Sequence, residues 1–292
     1  MSWCKVNLTC NKNDIDIIEE RLLSFNAISI SLVGEKGNSE IYEPKPGETP
    51  LWDTIELSAL FENKVSREVI NSFLEGVTYS NLYINKIEDQ NWIAKYQENF
   101  KPIKFGQKLW VVPSWSKRMD LFNIEGIELK MDPGMAFGSG SHETTHLCLE
   151  YLEKNSPKEL TVLDYGCGSG ILAIASLLLG ADYAVATDID PQALESTKVN
   201  SINNKVIDRI EIVKPGLIPN IKIDLLIANI LSNIIIDHRD TFSKILESDS
   251  RLVLSGIMKE QLNKIINFYE EFYTPQRIEY KNDWCLVELF KK

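Results

Sequence analysis

The run Asp164-Tyr165-Gly166-Cys167-Gly168-Ser169-Gly170 most constrains what this chain can fold into. It follows the short apolar stretch 160–164 and precedes the apolar helical stretch 171–179. A strand, a glycine turn and a helix in that order build the ligand crevice of an open α/β sheet. Glycine is needed there because the backbone must turn sharply and approach a ligand without a Cβ in the way. The run therefore predicts a site for an adenosine-containing ligand.

The spacing of the glycines separates the candidate ligands. The dinucleotide fingerprint G-x-G-x-x-G would need glycine at position 171, where Ile171 stands. The third glycine is Gly170, and the triphosphate-binding pattern G-x-x-x-x-G-K-[ST] is absent from this run. Asp188 ends the next apolar stretch, about 20 residues further on, where an acid would hold a ribose hydroxyl. The pattern resembles the first motif of S-adenosylmethionine (SAM)-dependent methyltransferases, and a plain tight turn is the alternative interpretation.

Composition narrows the class of protein. A chain of 292 residues suits one large domain or two smaller ones. The net charge of −11 argues against a nucleic-acid groove and favours a basic or neutral partner, although acidic surfaces also simply aid solubility. The five cysteines form no C-x-x-C pair, which predicts free thiols of a reducing cytosol and no metal site. No signal peptide is suggested, and the longest apolar run, 171–181, is too short to span a bilayer. We therefore expect a cytoplasmic protein without a membrane segment.

Residues 1–87 predict a small α+β domain. Their apolar patterns indicate four strands and two helices in the order β-α-β-β-α-β, which is the ferredoxin-like arrangement. Val69, Ile70 and Phe73 of the second helix are expected to face the core. The strands are predicted at 3–9, 27–33, 54–61 and 82–87, and the helices at 13–25 and 66–75.

A polar stretch over 88–101 is predicted to form a linker helix. Trp92, Tyr96 and Phe100 recur in it at four-residue spacing, which favours a packing stripe over a cofactor-binding motif. The second domain would then occupy residues 102–292.

The second domain is predicted to be α/β. It starts with a hairpin-like segment, and from position 160 onward strands and helices alternate, which predicts a parallel sheet with helices on both faces. Two final strands, 276–280 and 284–290, are joined by a short polar turn and should be antiparallel. A parallel sheet closed in this way resembles the Rossmann-like, seven-stranded methyltransferase fold. The earlier elements are predicted at 105–115, 160–164, 171–179, 183–187, 191–203, 210–213, 223–229, 251–255 and 259–269.

Two further segments are candidates for ligand contact. The glycine-containing stretch 131–145 leads into an amphipathic helix at 146–152, and its Phe137 and Thr145 could contact a ligand. A plain loop with a helix cap explains that stretch equally well. Asn229 ends the apolar stretch 223–229 at the edge of the sheet where such folds bind ligands. Its amide can accept from an amine or donate to a carboxylate, and an asparagine bonded only to backbone is the alternative.

These segments, with the glycine turn and the run 188–193, resemble the bacterial ribosomal protein L-eleven methyltransferase family. The similarity extends to stretches 42–49, 110–115 and 283–285, and so covers nearly the whole chain. The resemblance implies a small N-terminal domain that holds the substrate and a C-terminal domain that binds SAM. It also implies proline at position 143, where this chain has Glu143. The SAM contacts that it implies fall on Thr145, Gly166, Asp188 and Asn229, to which the sequence adds Phe137, Gly168 and Gly170.

The implied activity is transfer of methyl groups from SAM to amino groups of ribosomal protein L-eleven, on lysine side chains or the α-amine. Because SAM brings an activated methyl group, the protein must mainly bind, align and exclude water. Asn229 is the candidate for orienting the amine, and Ile230 and Leu231 after it replace the Asn-Pro-Pro-Tyr context of glutamine and adenine methyltransferases. No general base is identified, because His142, in the candidate ligand loop, is favoured as structural.

Three other functions stay open. The chain could methylate a small molecule or another protein, or it could bind SAM without catalysis. A nicotinamide oxidoreductase is disfavoured by Ile171 in the glycine turn. A monomer that has a basic ribosomal-protein partner, and no nucleic-acid site of its own, is expected.

Overall fold

The computed structural model describes residues 3–34, 51–87, 101–116, 126–132 and 142–292. The chain forms two compact units, Met1–Lys95 and Tyr96–Lys292. Nearly all of the predicted linker helix lies outside the described residues, so that helix stays a prediction. Among the helices that are described, none is both long and apolar enough to cross a membrane.

The first unit contains a four-stranded antiparallel sheet with two helices. The strand order is β2-β3-β1-β4, and the order of elements along the chain confirms the predicted β-α-β-β-α-β arrangement. Because side chains alternate between the faces of a strand, Val6 and Leu8 of the central β1 point into the buried core. The elements are β1 Trp3–Asn11, α1 Ile15–Ser24, β2 Ser29–Gly34, β3 Thr54–Phe61, α2 Arg67–Phe73 and β4 Tyr79–Ile87.

Helix α2 differs from its prediction in the face that it buries. Ile70 is fully buried, as expected, but Val69 and Phe73 are 37% and 39% exposed. The helix has only seven residues, and its core contact runs through Ile70 and Leu74, one turn apart. Phe73 lies instead against Phe25, with ring centroids 4.2 Å apart.

The second unit begins with a three-stranded sheet in the order β5-β6-β7. The antiparallel pair β5 and β6 confirms the predicted hairpin-like segment, whereas β7, parallel to β6, was not predicted. The strands are β5 Ile103–Phe105, β6 Leu109–Val112 and β7 Ile127–Lys130.

A seven-stranded sheet forms the body of the second unit, in the order β10-β9-β8-β11-β12-β14-β13. The first five strands of that order are parallel neighbours, and β14 is antiparallel to both β12 and β13, which confirms the predicted sheet and its C-terminal hairpin. The strands are β8 Thr161–Tyr165, β9 Tyr183–Thr187, β10 Ile210–Val213, β11 Leu225–Asn229, β12 Arg251–Met258, β13 Tyr273–Lys281 and β14 Trp284–Lys291.

Helices cover both faces of this sheet, because consecutive strand residues such as Val162 and Leu163 point into separate apolar cores. Three helices contribute to the core around Val162 and three to the core around Leu163. This arrangement leaves the carboxyl ends of β8, β9 and β11 at a common edge. In chain order the helices are α3 Glu143–Lys154, α4 Ile171–Leu178, α5 Pro191–Asn203, α6 Ser232–Asp237, α7 Arg239–Ile245 and α8 Leu262–Tyr269.

Candidate functional site

A cavity of about 330 Å³ lies at the carboxyl ends of β8, β9 and β11. Its volume is at the lower end of the range for small-molecule sites, and the edge of the sheet is where open α/β folds bind ligands. Most of its lining is apolar, and a few polar groups converge on it. The lining residues are Thr145, Tyr165, Gly166, Cys167, Gly168, Ile171, Leu172, Thr187, Asp188, Ile189, Pro215, Asn229, Ile230, Ile234 and His238.

The glycine turn forms one wall of the cavity. The backbone N–H groups of Gly166 and Cys167 both donate to the carbonyl oxygen of Thr187, at 2.8 and 3.0 Å. Gly166 has φ +80°, and a Cβ there would lie 2.4 Å from Cγ2 of Ile230. Only glycine adopts this positive φ readily and avoids displacing the Ile230 side chain. The turn is therefore held against both β9 and the segment that follows β11.

Asp188 faces the glycine turn from the end of β9. Its Oδ2 accepts from the backbone N–H of Gly168 at 3.0 Å, and its Oδ1 accepts from the N–H of Asp190 at 3.0 Å. Asp190 in turn caps α5 by accepting from the N–H of Gln192 at 2.9 Å. Two charge-assisted hydrogen bonds thus fix the Asp188 carboxylate at the cavity wall.

Asn229 and Thr145 meet at the cavity. The Asn229 Nδ2 donates to the Thr145 hydroxyl at 3.3 Å, which joins the end of β11 to the first turn of α3. Thr145 is almost fully buried. Helix α3 begins at Glu143, three residues before the predicted start, and so includes Thr145 in its first turn. The structure therefore brings together the two segments that the sequence singled out beyond the glycine turn.

Asp164 lies beneath the turn and not in the cavity lining. It is buried, and its Oδ2 accepts from the backbone N–H of Ala173, in the first turn of α4, at 3.0 Å. Burial raises the pKa of this carboxyl to about 7, and the negative charge of Asp188 adds to the rise. The hydrogen bond from Ala173 acts in the opposite sense, because it favours the charged form.

The predicted contact residues divide into three groups. Five of them, Thr145, Gly166, Gly168, Asp188 and Asn229, line the cavity. Gly170 does not line it; with φ +77° it precedes α4 as the N-cap, and a Cβ there would lie 2.6 Å from Thr197. Phe137 lies outside the described residues.

Sequence reasoning missed several lining residues. Ile189 directly follows Asp188 and is 83% exposed, and Pro215 lies two residues past β10, so a search of all strand ends would have found both. Ile234 and His238 come from α6 and the residue after it, and no local pattern distinguishes them. The His238 Nδ1 donates to the carbonyl oxygen of Ile234 at 2.9 Å, and the ring contacts that of Tyr165 with centroids 5.3 Å apart.

The thiol of Cys167 carries no sign of reactivity. It is buried in the wall, and burial raises its pKa above the ordinary range. The cysteines Cys4, Cys10, Cys148 and Cys285 are also buried and free. Within the described part of the chain, no group of three or more histidine, cysteine or acidic side chains could hold a metal ion.

Comparison with known proteins agrees with the geometry of the site. Residues 2–292 match the family described as "Ribosomal protein L11 methyltransferase (PrmA)". A protein of that name from Pseudomonas fluorescens is 38% identical over 291 residues, which cover 98% of each chain. Another, from Hahella chejuensis, is 36% identical over 289 residues, again 98% of each chain.

A solved structure supports the same relationship. The ribosomal protein L11 methylase from Lactobacillus delbrueckii subsp. bulgaricus superimposes with a TM-score of 0.60 at 33% identity, over 66% of this chain and 100% of that chain. The match over residues 2–292 and the identity to these relatives show that the chain belongs to the ribosomal protein L11 methyltransferase (PrmA) family.

Proposed function

We propose that this protein transfers methyl groups from SAM to amino groups of ribosomal protein L11, on lysine side chains or the α-amine. The observation that carries the proposal is the cavity enclosed by the glycine turn, Asp188 and Asn229, in a chain of the L11 methyltransferase family. Fold alone would not assign the reaction, because the same sheet supports many functions.

The chemistry of the cavity fits SAM. The Asp188 carboxylate is an acceptor for ribose hydroxyls, and Thr145 and Asn229 offer polar groups to the charged methionyl end. Gly166 and Gly168 keep the wall free of side chains, and apolar residues such as Ile189 suit the uncharged parts. Gly170 supports this wall through the start of α4, and Phe137 is proposed to add an apolar contact.

When bound, SAM supplies an activated methyl group. The acceptor nitrogen needs an electron pair, so a lysine, with an ordinary pKa of about 10.4, must first lose its proton. Because the Nδ2 of Asn229 donates to Thr145, its carbonyl oxygen is the group that can accept from an amine N–H and orient it. The apolar lining, including Leu172 and Ile230, excludes water from the amine.

The substrate is proposed to be held by the first unit. Support comes from the family and from the overall charge of −11, which favours a basic ribosomal protein. We further propose a cytoplasmic monomer without a nucleic-acid site of its own. Light scattering of the purified protein alone tests the monomer, since a particle of two or more copies would contradict it, and with L11 the added mass should be that of L11 bound to one copy.

The reaction is tested by incubating purified L11 with the protein and SAM and measuring the intact mass of L11. Mass gain in methylene steps is expected, and fragment mapping then locates the amines. Deletion of the first unit should abolish the gain on L11, while SAM binding by residues 102–292 measures whether the second unit still folds.

Each other outcome selects a different function. An L11 mass that does not change, with SAM bound in the same sample, would reject L11 as the substrate and point to another amine. Consumption of SAM with a small molecule, undiminished by deletion of the first unit, would identify a small-molecule methyltransferase. Binding without any S-adenosylhomocysteine would identify a non-catalytic module.

A further inference from the structure

The start of α3 fixes the position of a polar group that lines the cavity. Thr145 is the third residue of the helix, so the position of the first turn fixes its hydroxyl. His142 occupies the N-cap, and its Nδ1 accepts from the N–H of Thr144 at 3.3 Å and lies 2.8 Å from the Thr144 hydroxyl. Histidine is not among the residues that cap helices well. Contacts from elsewhere in the fold add to this local capping.

The turn between β13 and β14 supplies two of those contacts. The side-chain Nδ2 of Asn282 donates to Oε1 of Glu143 at 3.1 Å, across 139 positions of sequence. The ring of Trp284 lies against that of His142, with centroids 5.1 Å apart. The hairpin turn thus touches the two residues that begin α3, next to Thr145.

The backbone of the turn that carries Asn282 is held in place by the paired strands and by one further hydrogen bond. Strands β13 and β14 stay paired up to Lys281 and Trp284, so only two residues connect them. Asn282 has φ +50°, a conformation that asparagine adopts more readily than most residues. The carbonyl oxygen of Asp283 accepts from the N–H of Lys259 at 3.0 Å, which ties the turn to the end of β12.

A further contact joins the first turn of α3 to the seven-stranded sheet. The Ser255 hydroxyl lies 3.2 Å from the carbonyl oxygen of Cys285 in β14 and 3.4 Å from that of Thr144 in α3. The first turn of α3 is therefore enclosed by β12, by the β13–β14 hairpin and, through Asn229, by β11. A site of this kind must be held to within about half an ångström to keep its affinity.

We propose that Asn282 is a positioning residue that acts through Glu143 to hold the first turn of α3, and hence Thr145, in the SAM cavity. The inference rests on the proposed function, since it takes SAM as the ligand. A proline at position 143, at the start of the helix, would fix only the backbone of the first turn. A glutamate at that position suits the positive end of the helix and also provides the acceptor for Asn282.

The test first breaks the hydrogen bond with an added negative charge and then, in a double variant, reverses the bond at the original net charge. Asn282→Asp places a carboxylate against that of Glu143, and aspartate tolerates the positive φ, so the turn keeps its shape. We expect the Kd for SAM to rise about three-fold or more, with a matching rise in KM and a smaller change in kcat. Adding Glu143→Gln restores a donor–acceptor pair in the opposite direction, and the double variant should return to within about two-fold of the unchanged protein. Glu150→Gln removes a carboxylate elsewhere on α3 and should leave Kd unchanged.

The measurements are SAM titration calorimetry, steady-state kinetics and thermal melting of all four proteins. If Asn282→Asp leaves Kd and KM unchanged, the proposal is wrong, even when the melting temperature falls, because the contact is then only structural. If the double variant does not recover affinity, the pairing with Glu143 is not the cause and the proposal also fails. Failure of the unchanged protein to bind SAM would instead overturn the proposed function together with this inference.

Discussion

The side-chain amide of Asn229 donates to the hydroxyl of Thr145 at 3.3 Å, although 84 positions separate the two residues. One residue ends the central strand β11, and the other lies in the first turn of α3. Both line the same cavity. Each side chain therefore fixes the group that the other presents to a ligand.

This relationship predicts coupled effects on SAM binding. Thr145→Val and Asn229→Ala should each weaken SAM binding. The double variant should lose less binding free energy than the sum of the two single losses, with a coupling energy of about 0.5–3 kcal/mol. Titration calorimetry of the three variants measures it. Thr161→Val, at the opposite end of β8, is the control for the threonine change and should bind SAM normally. Strictly additive losses would show that the two side chains act independently.

Asp188 is predicted to supply most of the ribose affinity. Asp188→Ala removes a charged acceptor, and each hydrogen bond to a charged group is worth about 1.5–3 kcal/mol, so Kd for SAM should rise about 10-fold or more. Asp182→Ala, just before β9 at its amino end, is the matched control. Calorimetry with both variants checks the prediction, and an unchanged SAM affinity of Asp188→Ala would remove the ribose assignment.

Gly166→Ala should destabilise the second unit and reduce SAM binding. The new Cβ would lie 2.4 Å from Ile230 Cγ2 at a φ of +80°, so the turn or the segment after β11 must move. A cost of about 1–3 kcal/mol is expected in urea denaturation. Gly216→Ala has open space around its Cβ and should change stability little. Equal stability of the two variants would contradict the close approach.

Asp164 predicts a pH dependence of stability. Burial raises its pKa in the folded protein to about 7, so the folded state binds more protons than the unfolded state between about pH 4 and pH 7. The contribution of Asp164 to stability is therefore present at low pH and lost as pH rises to about 7, by at most about 1.4 kcal/mol per pH unit. Asp164→Asn removes this titration. The free energy of unfolding of both proteins is measured at pH 5, 6, 7 and 8. The difference between the variant and the unchanged protein should shift in favour of the variant as pH rises. Parallel pH dependences would refute the assignment.

The buried pair of Tyr151 and Glu288 predicts a large loss of stability when the tyrosine hydroxyl is removed. The tyrosine hydroxyl donates to Oε1 of Glu288, and both side chains are buried. Tyr151→Phe leaves that carboxylate without its donor, which should cost about 1–3 kcal/mol of unfolding free energy. Tyr183→Phe removes a similar bond to Glu211 at a more exposed position and should cost much less. Similar losses in urea denaturation would mean that burial does not set the energy of the pair.

The sequence alone determined the elements whose signals are local. Strand β9 and helix α5 have the predicted bounds, because an apolar stretch ends at Asp188 and Pro191 stands at the first helical position. The glycine turn was predictable for the same reason, since its spacing reflects the backbone path itself. Alternation of strands and helices then implied the parallel sheet, whose carboxyl edge placed Asp188 and Asn229 together.

Only the tertiary structure decided which side chains meet. Strand β7 was missed because four residues with two apolar side chains carry too little periodicity. The outward turn of Phe73, the position of His238 in the cavity and the contact of Asn282 with Glu143 depend on how elements pack. A local sequence pattern shows at what spacing side chains are buried, and so which element forms. The partner of each side chain is set by packing between residues that lie far apart in the sequence.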